Sequence, residues 1–200
     1  MQKQISMSMP DFQIALAKLI GSPQLCETVL RDETVFFAEF DLTGKEKKRL
    51  NSVLRQKGIS ACCSLYRMNR ITPVYTQLIN TSTLLGDGLV PLVEEFWLQY
   101  PEPTLQFRDE VLEFGGFLMN KIETGIVDIP YLKQVLQVEI AINELSYLPE
   151  GEIRMLKFGL DIFKILQCVN TGTLQEETIE KDDNLYKMYL EDQKLQMEIV

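Results

Sequence analysis

The segment IPYLKQVLQVEIAINEL, residues 129–145, decides the fold of this chain because it carries its clearest helical pattern. Pro130 suits the first turn of a helix, where its missing N–H is not needed. Apolar residues then recur at helical spacing and fall on one face: Leu132, Val135, Leu136, Ile140 and Leu145. A helix with such a face has to be buried against other elements. We therefore expect it at the centre of a helical domain.

Helical patterns extend outward from this segment, so residues 59–170 are predicted to form a helical core domain. Near its end, residues 153–158 alternate between apolar and polar side chains, which predicts a closing strand. Residues 1–58 are predicted to hold N-terminal helices, a strand and a basic helix, and residues 171–200 an acidic linker and a C-terminal helix. The expected fold class is α+β, mainly α: a helical domain with a small antiparallel sheet.

The strand predicted in the first region lies at residues 34–42, where the pattern alternates. One side is apolar: Phe36, Ala38, Phe40 and Leu42. The other side becomes polar toward its end: Val35, Phe37, Glu39 and Asp41. The C-terminal helix is predicted from a different spacing, with an apolar face formed by Leu185, Met188, Tyr189, Leu195 and Ile199.

The composition argues against catalysis by this chain alone. There is no histidine, which removes the commonest acid–base group and the usual nitrogen ligand of transition metals. We therefore expect no catalytic, cofactor-binding or metal-binding residues here. The four cysteines form no disulfide framework for a chain of 200 residues, so reduced, buried thiols and a cytoplasmic location are expected. The sequence also lacks an apolar run long enough to span a membrane.

The net charge of −9 disfavours nucleic acid as a partner and favours a cationic one. An exception is the basic run at residues 45–57, which carries six lysines and arginines against Glu46. It is interpreted either as a solvated helix face or as the surface of a transcription-associated nucleic-acid-binding module. A further alternative is a free-standing enzyme that uses a carboxylate or Cys62 and Cys63.

Several short motifs resemble those of a bacterial family of helical domains labelled as DNA-binding. Residues 66–69, YRMN, resemble its aromatic-Arg-x-Asn signature, and residues 130–139 follow its PYL..V..LE pattern closely. Further segments resemble it in the same order along the chain: LLG at 84–86, EEF at 94–96, YP at 100–101, FG at 114–115, FL at 117–118 and IRMLK at 153–157. The length and the extra N-terminal region are most similar to the accessory (C) subunits of methanobactin oxazolone/thioamide synthases.

This resemblance implies a non-catalytic subunit that forms a heterodimer with a TIM-barrel multi-iron enzyme, which holds the iron. The subunit would bind the lysine-rich leader of a ribosomally made precursor peptide and present its cysteines for oxazolone/thioamide formation. An exposed sheet edge suits this task because an extended peptide can add as a strand. The expected peptide-binding residues are Val35, Phe37, Glu39, Asp41, Arg154 and Lys157.

A buried polar group is also expected in the helical core, because buried polar side chains normally satisfy one another. Its expected members are Tyr66, Arg67, Asn69 and Glu139. Glu139 lies among apolar neighbours in the helix at 129–145, so we expect it to form an ion pair with Arg67.

Overall fold

The computed structural model describes residues 9–56, 58–100, 107–174 and 179–200. The helices in these residues are α1 (Met9–Gly21), α2 (Pro23–Arg31), α3 (Thr34–Ala38), α4 (Gly44–Leu54), α5 (Ile59–Gln77), α6 (Ile79–Leu85), α7 (Leu89–Gln99), α8 (Phe107–Glu123), α9 (Leu132–Leu145) and α10 (Ile162–Thr171). A 3₁₀ turn, Gly86–Gly88, separates α6 from α7. The strands are β1 (Ile153–Lys157), β2 (Leu185–Glu191) and β3 (Lys194–Ile199). The predicted class, mainly α with a small antiparallel sheet, is confirmed.

The chain divides into two compact units, and the division falls within α5. The first unit is Met1–Arg70 with Tyr100–Glu102, and the second is Ile71–Gln99 with Pro103–Val200. The first domain boundary predicted from the sequence lies earlier, between residues 58 and 59. The residues from 171 onward, which the sequence set apart, belong to the second unit.

The first unit is a helical cluster with well-defined helix starts. Ser22 accepts a hydrogen bond from the Leu25 N–H at the start of α2. Thr43 and Glu46 form the predicted capping box at the start of α4. The core of this unit consists of Ala15, Leu19, Cys26, Val29, Phe36, Phe37, Leu42, Leu50, Leu54 and Cys63.

The strand predicted at residues 34–42 is wrong, because this segment begins with the short helix α3. Phe36 and Phe37 are both buried although they are adjacent, which a half-buried strand does not allow. The ring centroids of Phe36 and Phe40 lie 5.1 Å apart, with the two rings tilted by 58°. Phe36 and Phe37 of α3, with Phe40 just after it, therefore pack into one core cluster.

The helical part of the second unit is built around α9, as its apolar pattern predicts. This helix packs on α8, and Gly115 of α8 permits the close approach because a Cβ there would lie 2.8 Å from Ile140 Cδ1. Phe96, Phe114 and Phe117 fill the space between α7 and α8, with ring centroids 5.6–6.1 Å apart. The central position of α9 is confirmed: Leu132, Val135 and Leu136 are fully buried.

The prediction of a C-terminal helix is also wrong, because residues 185–199 form the antiparallel hairpin of β2 and β3. The sheet order is β1-β2-β3, so the strand predicted at residues 153–158 is confirmed as an edge strand of this sheet. Tyr186 and Met188 of β2 are fully buried and belong to the same core as α9 and α10. That burial at every second residue favours strands over the helical spacing.

Candidate peptide-binding edge

The backbone direction of the sheet follows from one hydrogen bond. The Val200 N–H donates to the Leu185 carbonyl at 2.9 Å, so the backbone groups of Leu185 face β3. Because these groups alternate in direction along a strand, those of Tyr186 and Met188 face β1. Their register partners are Leu156 and Arg154. The intervening β1 residues therefore direct their N–H and C=O groups away from the sheet: Ile153, Met155 and Lys157.

The outward edge of β1 is a row of backbone donors and acceptors. Among the described residues, β1 pairs with β2 and with no other strand. The Ile153 carbonyl accepts a hydrogen bond from Arg154 Nη1 at 3.2 Å, in agreement with its outward direction. Such an edge can accept an additional strand.

The solvent-facing surface beside this edge is partly apolar. Ile153 and Met155 are 45% and 47% exposed, and Ile153 stands opposite Tyr189 in the register. Lys187 stands opposite Met155 in the register. Its Nζ lies 4.4 Å from the centroid of the Tyr189 ring and 2.8 Å from Glu198 Oε1. An added strand would place every second side chain against this apolar surface.

Two predicted peptide-binding residues lie on β1, and each has an acidic partner. Arg154 Nε donates to Glu144 at 2.7 Å, and Lys157 Nζ lies 3.1 Å from Asp183. Exposed acidic residues also precede the strand: Glu150 and Glu152. Glu150 accepts a hydrogen bond from the Asp192 N–H of the β2–β3 turn at 2.9 Å. The cations of the strand are therefore partly neutralised within an acidic surrounding.

A depression of about 430 Å³ lies at the turn end of the sheet. Its lining residues come from the segment before β1 and from the hairpin: Ser146, Leu148, Glu150, Leu190 and Gln193. The turn itself uses Asp192 and Gln193 with φ values of 49° and 61°. Two consecutive left-handed residues are the geometry that two-residue hairpins favour.

The other four predicted peptide-binding residues are not on a strand, so strand addition at residues 34–42 is excluded. Val35 is 72% exposed, but Phe37 is buried in the core of the first unit. Glu39 lies 3.6 Å from Lys18, and the Asp41 N–H donates to Asp11 at 2.7 Å. These contacts serve the local helix packing.

The predicted polar core is only partly correct. Glu139 is buried, but its carboxylate accepts from Asn80 N–H at 2.7 Å, Asn80 Nδ2 at 3.0 Å and Thr81 N–H at 2.9 Å. It therefore caps the first turn of α6, whose own N-cap residue, Leu78, supplies no side-chain bond. Both carboxylate oxygens therefore accept hydrogen bonds from the start of α6, whereas the sequence predicted an ion pair with Arg67.

The remaining members of that group are also placed differently. Asn69 is exposed, Arg67 is half-buried, and the Tyr66 ring packs beside Gly21. The buried arginine of this segment is Arg70, whose Nη2 donates to the Tyr100 carbonyl at 3.2 Å. The sequence reading also missed Glu110, a buried carboxylate that accepts from Trp97 Nε1 at 3.1 Å. Its position in the first turn of α8, beside Asp109, was the available signal.

Three of the thiols are buried, and the pKa of one of them, Cys26, is raised. Cys26, Cys63 and Cys168 are buried and take part in no disulfide bond, as expected. Burial, with a smaller contribution from neighbouring Cys63, raises the pKa of Cys26 to about 12. The side chain of Cys62 lies outside the described part of the chain. A high thiol pKa opposes the thiolate that a nucleophile requires.

The basic run at residues 45–57 lies largely on α4, with Lys57 outside the described residues. Lys45, Lys48, Arg49 and Arg55 are exposed, whereas Leu50 and Leu54 are buried. The helix is thus amphipathic, with an exposed basic face that both interpretations require.

The described residues hold no group of three or more acidic or cysteine side chains arranged to bind a metal ion. In the same residues, no helix has both the length and the apolar character required to cross a membrane. Comparison of the sequence with protein-family models and with curated proteins gave no match.

Proposed function

We propose that this chain is a non-catalytic peptide-binding subunit in which an extended peptide adds as a fourth strand beside β1. The observation that carries the proposal is the outward direction of the N–H and C=O groups of Ile153, Met155 and Lys157. Main-chain hydrogen bonds of this kind supply affinity without requiring a particular peptide sequence.

Side chains beside the edge would supply selectivity. Alternate residues of the added strand would contact the exposed apolar surface formed by Ile153 and Met155. At the turn end, the depression lined by Leu148 and Leu190 offers space for one further side chain. The proposal therefore favours a peptide with apolar residues at every second position.

The charge around the edge favours a cationic peptide. Glu150 and Glu152 precede β1, Asp183 lies beside Lys157, and the whole chain carries a net charge of −9. A field of this sign accelerates the association of a lysine-rich peptide and repels nucleic acid. The Ile153 carbonyl would exchange the hydrogen bond that it accepts from Arg154 Nη1 for one from a peptide N–H.

The family resemblance gives this activity a biosynthetic setting. In it, the peptide is the lysine-rich leader of a ribosomally made precursor, whose cysteines are converted in methanobactin-type oxazolone/thioamide formation. The chemistry belongs to a TIM-barrel multi-iron enzyme that pairs with this subunit in the cytoplasm and holds the iron. The absence of histidine from this chain agrees with that division of roles.

The proposal is tested with a labelled synthetic peptide in which lysine and valine alternate. Binding to the full chain is measured by fluorescence anisotropy at low ionic strength. Met155→Pro removes an outward N–H that the β1–β2 ladder does not use, so folding should persist while peptide affinity falls by about 10-fold or more. Met155→Ala is the matched control, because it removes the side chain but keeps the N–H.

The two variants separate backbone pairing from apolar contact. We expect Met155→Ala to bind within a few-fold of the unchanged chain and Met155→Pro to lose most of its affinity, with circular dichroism showing both folded. Equal affinities for Met155→Pro and the unchanged chain would exclude strand addition at β1.

A further inference from the structure

The sheet has a second open edge, on β3, with a different character from that of β1. Glu198 and Gln196 stand opposite Lys187 and Tyr189, whose backbone groups face β3 by the alternation established from Leu185. The β3 residues between them therefore direct their N–H and C=O groups outward: Leu195, Met197 and Ile199. Among the described residues, β3 pairs with β2 and with no other strand.

The side chains of these three outward residues form a continuous apolar row. They project to the core side of the sheet, in register with Leu190, Met188 and Tyr186. Met197 packs partly into the core, whereas Leu195 and Ile199 are 38% and 54% exposed. An edge strand that leaves apolar side chains and backbone groups exposed together is suited to pairing with another strand.

The sequence of β3 is self-complementary about Met197. In an antiparallel pair centred on Met197, Leu195 of one copy stands opposite Ile199 of the other, and Met197 stands opposite Met197. On the solvent-facing side, Gln196 stands opposite Glu198, and Lys194 opposite Val200. No two like charges are opposed, and amide–carboxylate pairs form on either side of the axis.

We propose that the chain forms a homodimer in which β3 pairs antiparallel with β3 of a second copy, giving one continuous six-stranded sheet. This two-fold arrangement is closed, so it ends at two copies. β1 is a poorer self-pairing edge, because Arg154 donates to its Ile153 carbonyl and Lys157 stands at its end. Charged residues at a strand edge oppose self-association.

A single strand pair buries less surface than the roughly 1,200–2,000 Å² of a stable interface. We therefore expect a weak, concentration-dependent dimer. Sedimentation velocity of the full chain across a concentration series is expected to show the mass rising from 23.1 kDa toward twice that value.

The variants place lysine at the paired positions. Leu195→Lys combined with Ile199→Lys puts cations into the apolar row, and we expect monomers at every concentration. Met197→Pro removes the central outward N–H and is expected to do the same. Ile126→Lys is the control: it changes an exposed apolar residue of the same unit away from β3 and should leave the dimer intact.

Three results would overturn the homodimer: an unchanged chain that stays at 23.1 kDa, a lysine double variant that dimerises normally, or loss of the dimer in Ile126→Lys. The lysine variant decides the outcome even where Met197→Pro does not fold. The homodimer is independent of peptide binding at β1. Met155→Pro should keep the dimer, and the lysine variant should keep peptide affinity, so failure of one leaves the other standing.

Discussion

The first turn of α6 and the outer edge of β1 differ in whether their backbone polar groups are hydrogen-bonded within the fold. At α6, the N–H groups of Asn80 and Thr81 are buried and bonded to Glu139 from another helix. At β1, the backbone groups of Ile153, Met155 and Lys157 face outward, beside exposed apolar side chains. The contrast teaches that a polar group satisfied inside the fold stabilises it, whereas a row left open at an edge is available to a partner.

The largest expected effect on stability comes from Glu139, the buried residue that caps α6. Glu139→Ala leaves two backbone N–H groups and the Asn80 amide without their acceptor, so we expect the free energy of unfolding to fall by about 3 kcal/mol or more. Glu139→Gln keeps the shape and one acceptor and should cost about half as much. Urea unfolding followed by circular dichroism measures both.

The matched control for Glu139 is Glu123→Ala. Glu123 forms an exposed ion pair with Lys133 at 3.0 Å, and such pairs contribute about 0–1 kcal/mol. If Glu139→Ala and Glu123→Ala lower the free energy of unfolding by similar amounts, the cap at α6 contributes little to stability. The contrast with β1 would then be contradicted.

A smaller effect is expected from the charges around the open edge. Glu152→Lys combined with Asp183→Lys reverses two exposed acidic residues beside β1, so the alternating lysine–valine peptide should associate several-fold more slowly. Its salt dependence should also flatten, because screening then has less attraction to remove. Stopped-flow association at two ionic strengths measures both, with Glu123→Lys as a remote control that should behave like the unchanged chain.

The smallest effect concerns Tyr186, which is intermediate between the two regions. Its ring is buried and its hydroxyl donates to half-buried Asp182. Burial, then the bond to Asp182, raises the pKa of the phenol from 10.0 to about 12. A raised pKa in the folded state means that this contribution to stability is fully present below pH 10 and is lost as the pH rises through about 12.

Thermal melting across this alkaline range tests that assignment. The melting temperature of the unchanged chain should fall more steeply between pH 10 and about 12 than that of Tyr186→Phe, which has no phenol to ionise. Parallel curves for the two proteins would show that Tyr186 titrates normally.

The elements that local pattern predicted correctly are those whose burial follows one clear period. The segment at 129–145 has a helical apolar face, and β1 alternates between Gly151 and Gly159, so both elements were predicted from the sequence. The predicted start at Pro130 is wrong, because Tyr131 has a left-handed φ of 65° and α9 begins at Leu132. The strand prediction at residues 34–42 was wrong because a five-residue helix is too short for its apolar period to be distinguished from that of a strand. The hairpin was not predicted because its turn consists of Asp192 and Gln193. Without a glycine in the turn, the sequence carries no local signal for it.

The candidate site shows a second limit of sequence reasoning. Arg154 and Lys157 were found because they lie on a strand that the pattern identified. The burial of Glu139 was also foreseen, but its partner was assigned to a charged side chain. The real donors are mainly backbone N–H groups at a helix end, which every sequence contains and no residue type marks.

Amide hydrogen exchange along β1 tests the central proposal most directly. In the free chain, the amides of Arg154 and Leu156 should exchange slowly because they face β2, whereas those of Ile153, Met155 and Lys157 should exchange fast. Saturating the chain with the alternating lysine–valine peptide should slow exchange at Met155 and Lys157 and leave Arg154 and Leu156 unchanged. Fast exchange at Met155 and Lys157 in the peptide-saturated protein would contradict strand addition at β1.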